Sequence, residues 1–396
     1  MPHYRYLIIG GGMTAAAAVD GIRSADTAGT IGLIGMEPDP PYDRPPLTKG
    51  LWKGKELKTI WRSIGDKGVE LHTGRRAEQL DPANRRVVDD SGTVYSYEKL
   101  LLATGGTARR FPFGQEEIIY YRTVADYRRL RSLTDEVRRF AVIGGGFIGS
   151  EIAAALAMNG KEVVMVFPDD WLGSTIFPED LGRFLSRYYK EKGVTISAGE
   201  YIVDIERRGA ELVLKSRGKR DSVPREYAVD AVVAGIGIEP NVKLARSAGL
   251  QVDNGIRVDE WLRTNQPDIY AAGDVAEFYN PLLGSRLRVE HEDNANTMGA
   301  RAGANMTGRA EPYHHLPFFY SDLFDLGYEA VGLLDPRLQI VADWKEPNRQ
   351  GVVYYLEAGR VRGVLLWNVW EQVDAARKLM AEAGPFQPDN LKGRLP

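Results

Sequence analysis

Residues 6–16 read YLIIGGGMTAA and residues 140–151 read FAVIGGGFIGSE, and the fold follows from this pair. Each stretch is an apolar β-type run, then a cluster of glycines, then good helix formers. Gly10, Gly12 and Ala15 in the first, and Gly144, Gly146 and Gly149 in the second, keep a G-x-G-x-x-G/A spacing. At that spacing the first small residue allows a tight turn, the second lets backbone approach a pyrophosphate, and the third lets helix pack on strand. An Ala-rich helix running toward Gly29 and a strand over Thr30 to Ile34 are expected after the first cluster, with Glu37 just beyond. After the second come Ile152 to Met158, a break at Asn159-Gly160, a strand over Val163 to Phe167, and then Pro168-Asp169-Asp170. Strand, glycine turn, helix, strand is the unit of a parallel sheet covered by helices. A repeat at this spacing means two similar domains, not a solenoid.

The rest of the chain is arranged around these units. Residues from about 50 to 110 read as short strands and turns ending in LLLATGG at Leu100 to Gly106, and residues 239–315 carry DIYAAGD at Asp268 to Asp274. From Pro317 the chain turns aromatic-rich, with strands expected over Val352 to Leu356 and Val361 to Leu366 and a helix near Val369 to Ala381. The expected architecture is α/β: two Rossmann-like dinucleotide-binding domains plus a C-terminal α+β domain. The boundaries are 1–110 with 239–315 for a discontinuous first domain, 111–238 for the second, and 316–396 for the third.

Composition narrows the functions. The net charge of −3 lacks the basic excess of a broad nucleic-acid footprint, so no nucleic-acid partner is expected. No apolar run approaches the roughly 18 residues of a membrane span, and because Tyr4 to Ile9 is already core-like strand, no leader is expected. A cytoplasmic protein is expected. Cysteine is absent, which removes disulfides, thiolate metal sites and any redox dithiol. Electrons handled by this chain must then sit on a bound cofactor or a partner. His314-His315 has no companion ligands in sequence, so no metal is expected.

The two fingerprints suit different dinucleotides. Behind the first lies PPYDRPPLTK at Pro40 to Lys49, a rigid segment delivering Arg44 and Lys49 soon after Glu37, the candidate acceptor from a ribose hydroxyl. The small-residue strand ends ATGG at Ala103 to Gly106 and AAGD at Ala271 to Asp274 leave room for a long cofactor, with Asp274 placed to bind ribityl hydroxyls. These four features in this order point to FAD. At the second fingerprint, Asp169 would accept from the adenosine ribose and repel an added phosphate, and the nearest downstream arginine, Arg183, lies well past the turn. NAD(H) is therefore expected there in preference to NADP(H).

Together GGGFIGSE, PYDRPPLTK, ATGG and AAGD resemble the FAD-dependent pyridine-nucleotide oxidoreductases of the ferredoxin-reductase type, over essentially the whole chain. RVEHEDNA at Arg288 to Ala295, GANMTG at Gly303 to Gly308, SDL with GYEAVG within Ser321 to Gly332, and VLLWN at Val364 to Asn368 are most similar to bacterial relatives of apoptosis-inducing factor. The resemblance implies that Gly10, Gly11, Gly12, Met13, Thr14, Glu37, Arg44, Lys49, Ala77, Thr104, Gly105, Arg122, Gly273, Asp274, Glu290 and His291 bind FAD or lie against it. It implies that Gly145, Gly146, Phe147, Ile148, Asp169, Gly237, Glu329 and Asn368 line the NADH path. Lys49 and Glu151 would form a charged pair beside the flavin N5, and Phe147 would gate the nicotinamide. Tyr320 stands where the family's F-W-S-D-L segment has Trp. The long insertion of the animal proteins' C-terminal domain is absent, with Pro336 to Gly351 read as a short crossing, and there is no basic bias. Those departures remove the grounds for transferring cell-death or DNA-binding roles.

The expected reaction is hydride transfer from NADH to flavin N5, followed by electron delivery to ferredoxin, quinone or another acceptor. Glu151 near the start of its helix is favoured by the helix dipole, and Lys49 would stabilise the reduced flavin. The Lys49–Glu151 pair also reads as a plain interdomain salt bridge. His291 reads as a cofactor contact or an acid–base group. Phe318, Phe319 and Tyr320 read as core or as a cofactor lid. A second functional reading is an NADH-responsive interaction protein with slow turnover, and a homodimer is compatible with either.

Overall fold

The computed structural model describes residues 1–114 and 116–396. The chain divides into two compact units. One comprises Met1–Arg44, Leu57–Thr107 and Glu239–Phe318; the other comprises Pro45–Glu56, Ala108–Ile238 and Phe319–Pro396.

The first unit is built on a seven-stranded sheet. Val69–Thr73, Ile31–Gly35, His3–Ile9 and Val94–Leu102 pair in parallel in that spatial order. The long strand Val94–Leu102 is shared: its end pairs in parallel with Ile269–Ala271, and its start pairs antiparallel with Arg86–Asp89, which pairs in turn with Ala77–Asp81. The parallel pairing sets the apolar runs Leu7 to Ile9, Ile31 to Ile34 and Leu100 to Leu102 side by side, and Leu7, Ile8, Leu33, Leu100 and Leu101 are fully buried. Helix Met13–Arg23 packs on helix Glu292–Met306. Small residues make that crossing close: a Cβ on Gly299 would stand 2.4 Å from the Thr14 carbonyl oxygen and one on Gly303 2.1 Å from that of Ala18.

The second unit holds a five-stranded parallel sheet in the order Val194–Ala198, Glu162–Phe167, Arg139–Ile143, Ala231–Ala234, Ile118–Tyr120. Helices Val124–Glu136, Phe147–Met158 and Glu179–Glu191 belong to it, as does an antiparallel three-stranded sheet from Glu200–Arg208, Glu211–Gly218 and Pro224–Val229. Its C-terminal part is a five-stranded sheet in the order Phe318–Leu323, Leu326–Gly332, Arg360–Trp367, Gln350–Glu357, Gln339–Glu346. Helix Val373–Ala381 accompanies it. Together these elements form the expected α/β fold with two dinucleotide-type sheets and a C-terminal α+β region.

Two local expectations are corrected. Pro336 to Gly351 is not a bare crossing, because Gln339–Glu346 is a strand paired antiparallel with Gln350–Glu357. The last helix starts at Val373 rather than near Val369, because Asn368 (φ 50°) and Glu371 (φ 62°) hold left-handed backbone that a right-handed helix cannot accommodate. Among the described residues, no helix is long and apolar enough to cross a membrane.

Candidate functional site: two dinucleotide cradles and a buried charged pair

The three small positions of each fingerprint behave differently in the fold. Gly10 has φ 127°, and a Cβ there would lie 2.0 Å from the Ala103 carbonyl oxygen. Gly144 has φ 111°, with the Gly235 oxygen 2.4 Å from its would-be Cβ. These glycines are required by turn and strand approach. At the third position a Cβ on Gly149 would meet the Gly144 oxygen at 2.0 Å, and Ala15 is fully buried. The second position differs: Gly12 (φ −100°) and Gly146 (φ −86°) have ordinary backbone, and a Cβ on either would meet nothing within 4 Å. Neither strain nor protein packing explains these two glycines. Open space of this kind is what a backbone needs in order to approach a pyrophosphate.

Both glycines are also N-caps of helices that lack a side-chain cap. Helix Val124–Glu136, by contrast, closes its first turn with a Thr123–Asp126 capping box. Each first turn after a fingerprint thus has no side-chain cap for its N–H groups, at the positive end of its helix. Phe147 and Ile148 follow at once and are 36% and 38% exposed, unusual for large apolar side chains. The residues present therefore fit a dinucleotide at each turn.

Around the first cradle, Glu37 is already oriented. Its two oxygens accept from Arg44 Nη2 at 2.6 Å and from the Tyr42 hydroxyl at 2.6 Å, and Arg44 lies over the Tyr42 ring at 5.1 Å. A carboxylate has about four acceptor sites, so two remain for a ribose. Burial opposes the Arg44 charge, but Tyr42, Glu37 and Asp274 more than offset it and hold its pKa above the usual arginine range. Gly273 (φ 76°) brings the Asp274 turn against Thr14, whose hydroxyl lies 2.3 Å from the would-be Cβ. Thr104 donates to the Asn241 carbonyl oxygen at 2.9 Å and Gly105 (φ 61°) turns the chain there. The Met13 carbonyl oxygen accepts from Arg62 Nη1 at 3.2 Å, and Gly11 abuts Gly35. Glu290 is exposed and paired with Arg288 at 2.7 Å. His291 precedes the helix Glu292–Met306, and burial pushes its pKa down to about 4 against the pull of Asp274 and Asp293, so the ring is neutral at pH 7. Ala77 opens the antiparallel strand Ala77–Asp81 at the far edge of the sheet order.

The second unit contains the charged pair. Glu151, one turn into the fingerprint helix and 4% exposed, accepts three hydrogen bonds. Lys49 Nζ donates at 2.7 Å and Ser321 Oγ at 2.6 Å to Oε1, while Thr48 Oγ1 donates at 2.5 Å to Oε2. Lys49 Nζ also lies 5.1 Å from the centre of the Tyr320 ring. Burial and the Glu151 charge hold the Tyr189 and Tyr328 hydroxyls well above the usual tyrosine pKa, so both remain neutral donors. Phe147 meets Phe319 edge-on at 5.3 Å, and Phe319 meets Tyr328 at 6.1 Å. Thr48 and Ser321 were legible only as members of the LTK and SDL motifs; the carboxylate they share lies 103 and 170 residues away.

The other expected positions are spread through the second unit. Asp169 lies two residues past its strand and, among the described residues, its carboxylate makes no hydrogen bond or ion pair, whereas Gly145 lies beneath the Phe167 ring. Gly237 has φ 88° and accepts from the Arg109 N–H at 3.0 Å. The Arg122 N–H donates to Asp126 at 3.0 Å. Glu329 accepts from the Glu371 N–H at 3.1 Å, and burial raises its pKa. Asn368 closes a turn through Gly327 at 2.8 Å and the Arg349 carbonyl oxygen at 2.8 Å, so its amide is committed to the fold. Arg183, the nearest downstream arginine in sequence, is paired with Glu179 at 2.7 Å, whereas Arg220 reaches the Asp170 carboxylate at 2.7 Å. Among the described residues, no cluster of potential metal ligands forms, and His315 is instead paired with Asp293 at 2.6 Å.

The chain belongs to the pyridine nucleotide-disulphide oxidoreductase family, which matches residues 4–299. The apoptosis-inducing factor, mitochondrion-associated C-terminal family matches residues 302–350 and 344–382. The chain is 35% identical over 397 residues to the ferredoxin–NAD(+) reductase component of the anthranilate 1,2-dioxygenase system of Burkholderia cepacia, covering 98% of this chain and 96% of that protein. It is 33% identical over 422 residues to the mitochondrial apoptosis-inducing factor 1 of Dictyostelium discoideum, covering 95% and 78%. Its fold superimposes on putidaredoxin reductase, solved in covalent complex with putidaredoxin, with a TM-score of 0.90 at 26% identity over 99% and 96% of the two chains. It is thus an FAD-dependent NADH oxidoreductase. The disulphide chemistry in the family's name has no counterpart here, because the chain has no cysteine.

Proposed function

We propose that this protein is a reductase that carries electrons from NADH to a ferredoxin-type acceptor. The observation that carries the catalytic part is the Lys49–Glu151 pair, 2.7 Å apart, with Glu151 buried on the first turns of the second fingerprint helix. In this reading residues 1–110 and 239–315 hold FAD, residues 111–238 hold NADH, and residues 316–396 complete the protein. Bound FAD supplies the link between a two-electron hydride donor and one-electron acceptors.

The chain's own residues bind and orient. The Gly12 and Gly146 turns take the two pyrophosphates, Glu37 and Asp169 take ribose hydroxyls, and Asp274 takes the ribityl chain. Glu151 anchors the Lys49 ammonium, and Lys49 places positive charge where the reduced cofactor gathers negative charge. Phe147, edge-on to Phe319, has the exposure needed to cover the nicotinamide and yield to it. Tyr320 flanks Lys49, its ring centre 5.1 Å from Nζ. Support for the acceptor comes from the relatives: the Burkholderia protein is a ferredoxin–NAD(+) reductase component, and the putidaredoxin reductase structure holds its redox partner.

An anaerobic NADH titration followed by a panel of acceptors tests this. NADH should bleach the flavin, and an iron–sulfur ferredoxin should reoxidise it faster than quinones or oxygen do. A flavin that NADH leaves oxidised would refute the donor assignment. Slow reoxidation by every acceptor, with an NADH-dependent change in oligomeric state, would favour a redox-sensing role, which the match to the apoptosis-inducing factor C-terminal family supports.

A further inference from the structure

The turn after the strand Glu162–Phe167 carries two adjacent carboxylates in different states. Among the described residues, Asp169 has no hydrogen bond or ion pair on its side chain. Asp170 is engaged by Arg220, with Nη2 to Oδ2 at 2.7 Å. Arg220 comes from the turn between Glu211–Gly218 and Pro224–Val229, 50 residues away in sequence. Backbone holds that turn in place: the Lys219 N–H donates to the Gly199 carbonyl oxygen at 2.7 Å, and the Gly199 N–H donates to the Asp169 carbonyl oxygen at 2.9 Å. Lys219 and Arg220 therefore sit on a backbone-anchored turn beside the end of the strand Glu162–Phe167. Arg183, the other guanidinium nearby, is held by Glu179 at 2.7 Å and stacks on Trp171 at 5.0 Å.

We infer that Asp170 is a specificity-determining residue that keeps Arg220 from serving a 2′-phosphate. This rests on the NADH reading above and goes beyond it, since that reading attributes the preference to Asp169 alone. A guanidinium matches a phosphate bidentately and is the usual device for NADP recognition. Here the device is present, but a carboxylate occupies it and adds its own repulsion. The Arg220 side chain is 81% exposed, so the pair is a weak surface contact and can be broken without unfolding the turn. Asp169 and Asp170 divide the work: one accepts from the ribose and the other neutralises the arginine that would reward a phosphate.

Calorimetric binding of 5′-AMP and of 2′,5′-ADP to the purified holoprotein tests this without turnover. Asp170→Asn should leave 5′-AMP affinity within about twofold and tighten 2′,5′-ADP by roughly tenfold, the sum of a freed arginine and one carboxylate fewer. The NADPH/NADH ratio of kcat/KM should rise in parallel. Asp170→Asn combined with Arg220→Ala should lose most of the gain, keeping only the part due to one carboxylate fewer. An unchanged preference in Asp170→Asn, or a gain that survives loss of Arg220 in full, would overturn the inference. Absence of 5′-AMP binding in the wild type would instead overturn the assignment of the second fingerprint to NADH, which separates the two failures.

Discussion

Replacing Lys49 with Met removes the ammonium but keeps an unbranched side chain of similar reach. Lys49 and Glu151 side chains are 12% and 3% exposed, so the substitution leaves a carboxylate buried without its cation. Removing one partner of a fully buried pair typically costs about 3–5 kcal/mol. Here the Thr48 and Ser321 hydroxyls still donate to Glu151, each contributing on the order of 1–2 kcal/mol toward a charged acceptor, so a loss of about 2–3 kcal/mol is expected. In a folding unit of this size that corresponds to roughly 5–10 °C in Tm. Loss of a preorganised charge should also slow flavin reduction by about tenfold to a hundredfold. Differential scanning calorimetry on the holoprotein and anaerobic stopped-flow mixing with NADH read the two effects. Lys49→Met with Glu151→Gln removes both charges, so it should recover much of the stability and none of the rate. If Lys49→Met keeps its Tm within about 2 °C, the buried-charge reasoning fails. If it keeps the wild-type reduction rate at full FAD content, the pair is structural only.

The glycines give a sharper contrast. Gly12→Ala and Gly146→Ala should fold with unchanged stability, because their Cβ atoms meet nothing within 4 Å, yet lose FAD retention and NADH affinity respectively. Gly144→Ala should be strongly destabilised by its φ of 111° and the Gly235 oxygen at 2.4 Å; thermal melts beside flavin content and NADH titration decide between the two behaviours. Gly303→Ala should cost roughly 1–3 kcal/mol by parting the two helices, whose contact leaves 2.1 Å for the new methyl, and denaturant unfolding would show it. His291 is neutral in the folded protein down to about pH 4 but takes a proton near 6.5 when unfolded. The unfolded state thus binds more protons between those values, and stability falls as pH falls through that window, by about 1–3 kcal/mol. Urea midpoints of wild type and His291→Gln at pH 7 and pH 4.5 should converge if this group is responsible for part of the acid loss.

The fingerprints were readable because their requirements are local. A strand, a turn at positive φ at Gly10 or Gly144, and a helix opening at Met13 or Phe147 are encoded within about ten residues. The same holds for Glu37 and Asp169, each two residues past its strand. The C-terminal helix start was misplaced because left-handed backbone at Asn368 and Glu371 is stabilised by contacts to Gly327, Arg349 and Glu329, which no local propensity reports. The strand Gln339–Glu346 was missed because polar and charged residues interrupt its alternation, and pairing with Gln350–Glu357 overrides that.

Sequence by itself determined that two glycine turns each open a helix behind a parallel strand, and that without cysteine the redox chemistry must rest on a bound cofactor. Only tertiary structure decided which side chains share the buried carboxylate of Glu151 and which arginine meets Asp170. The physical reason is distance along the chain. A turn is specified by the dihedral preferences of its own residues, whereas hydrogen bonds between residues 50 to 170 positions apart exist only once sheets and helices have packed.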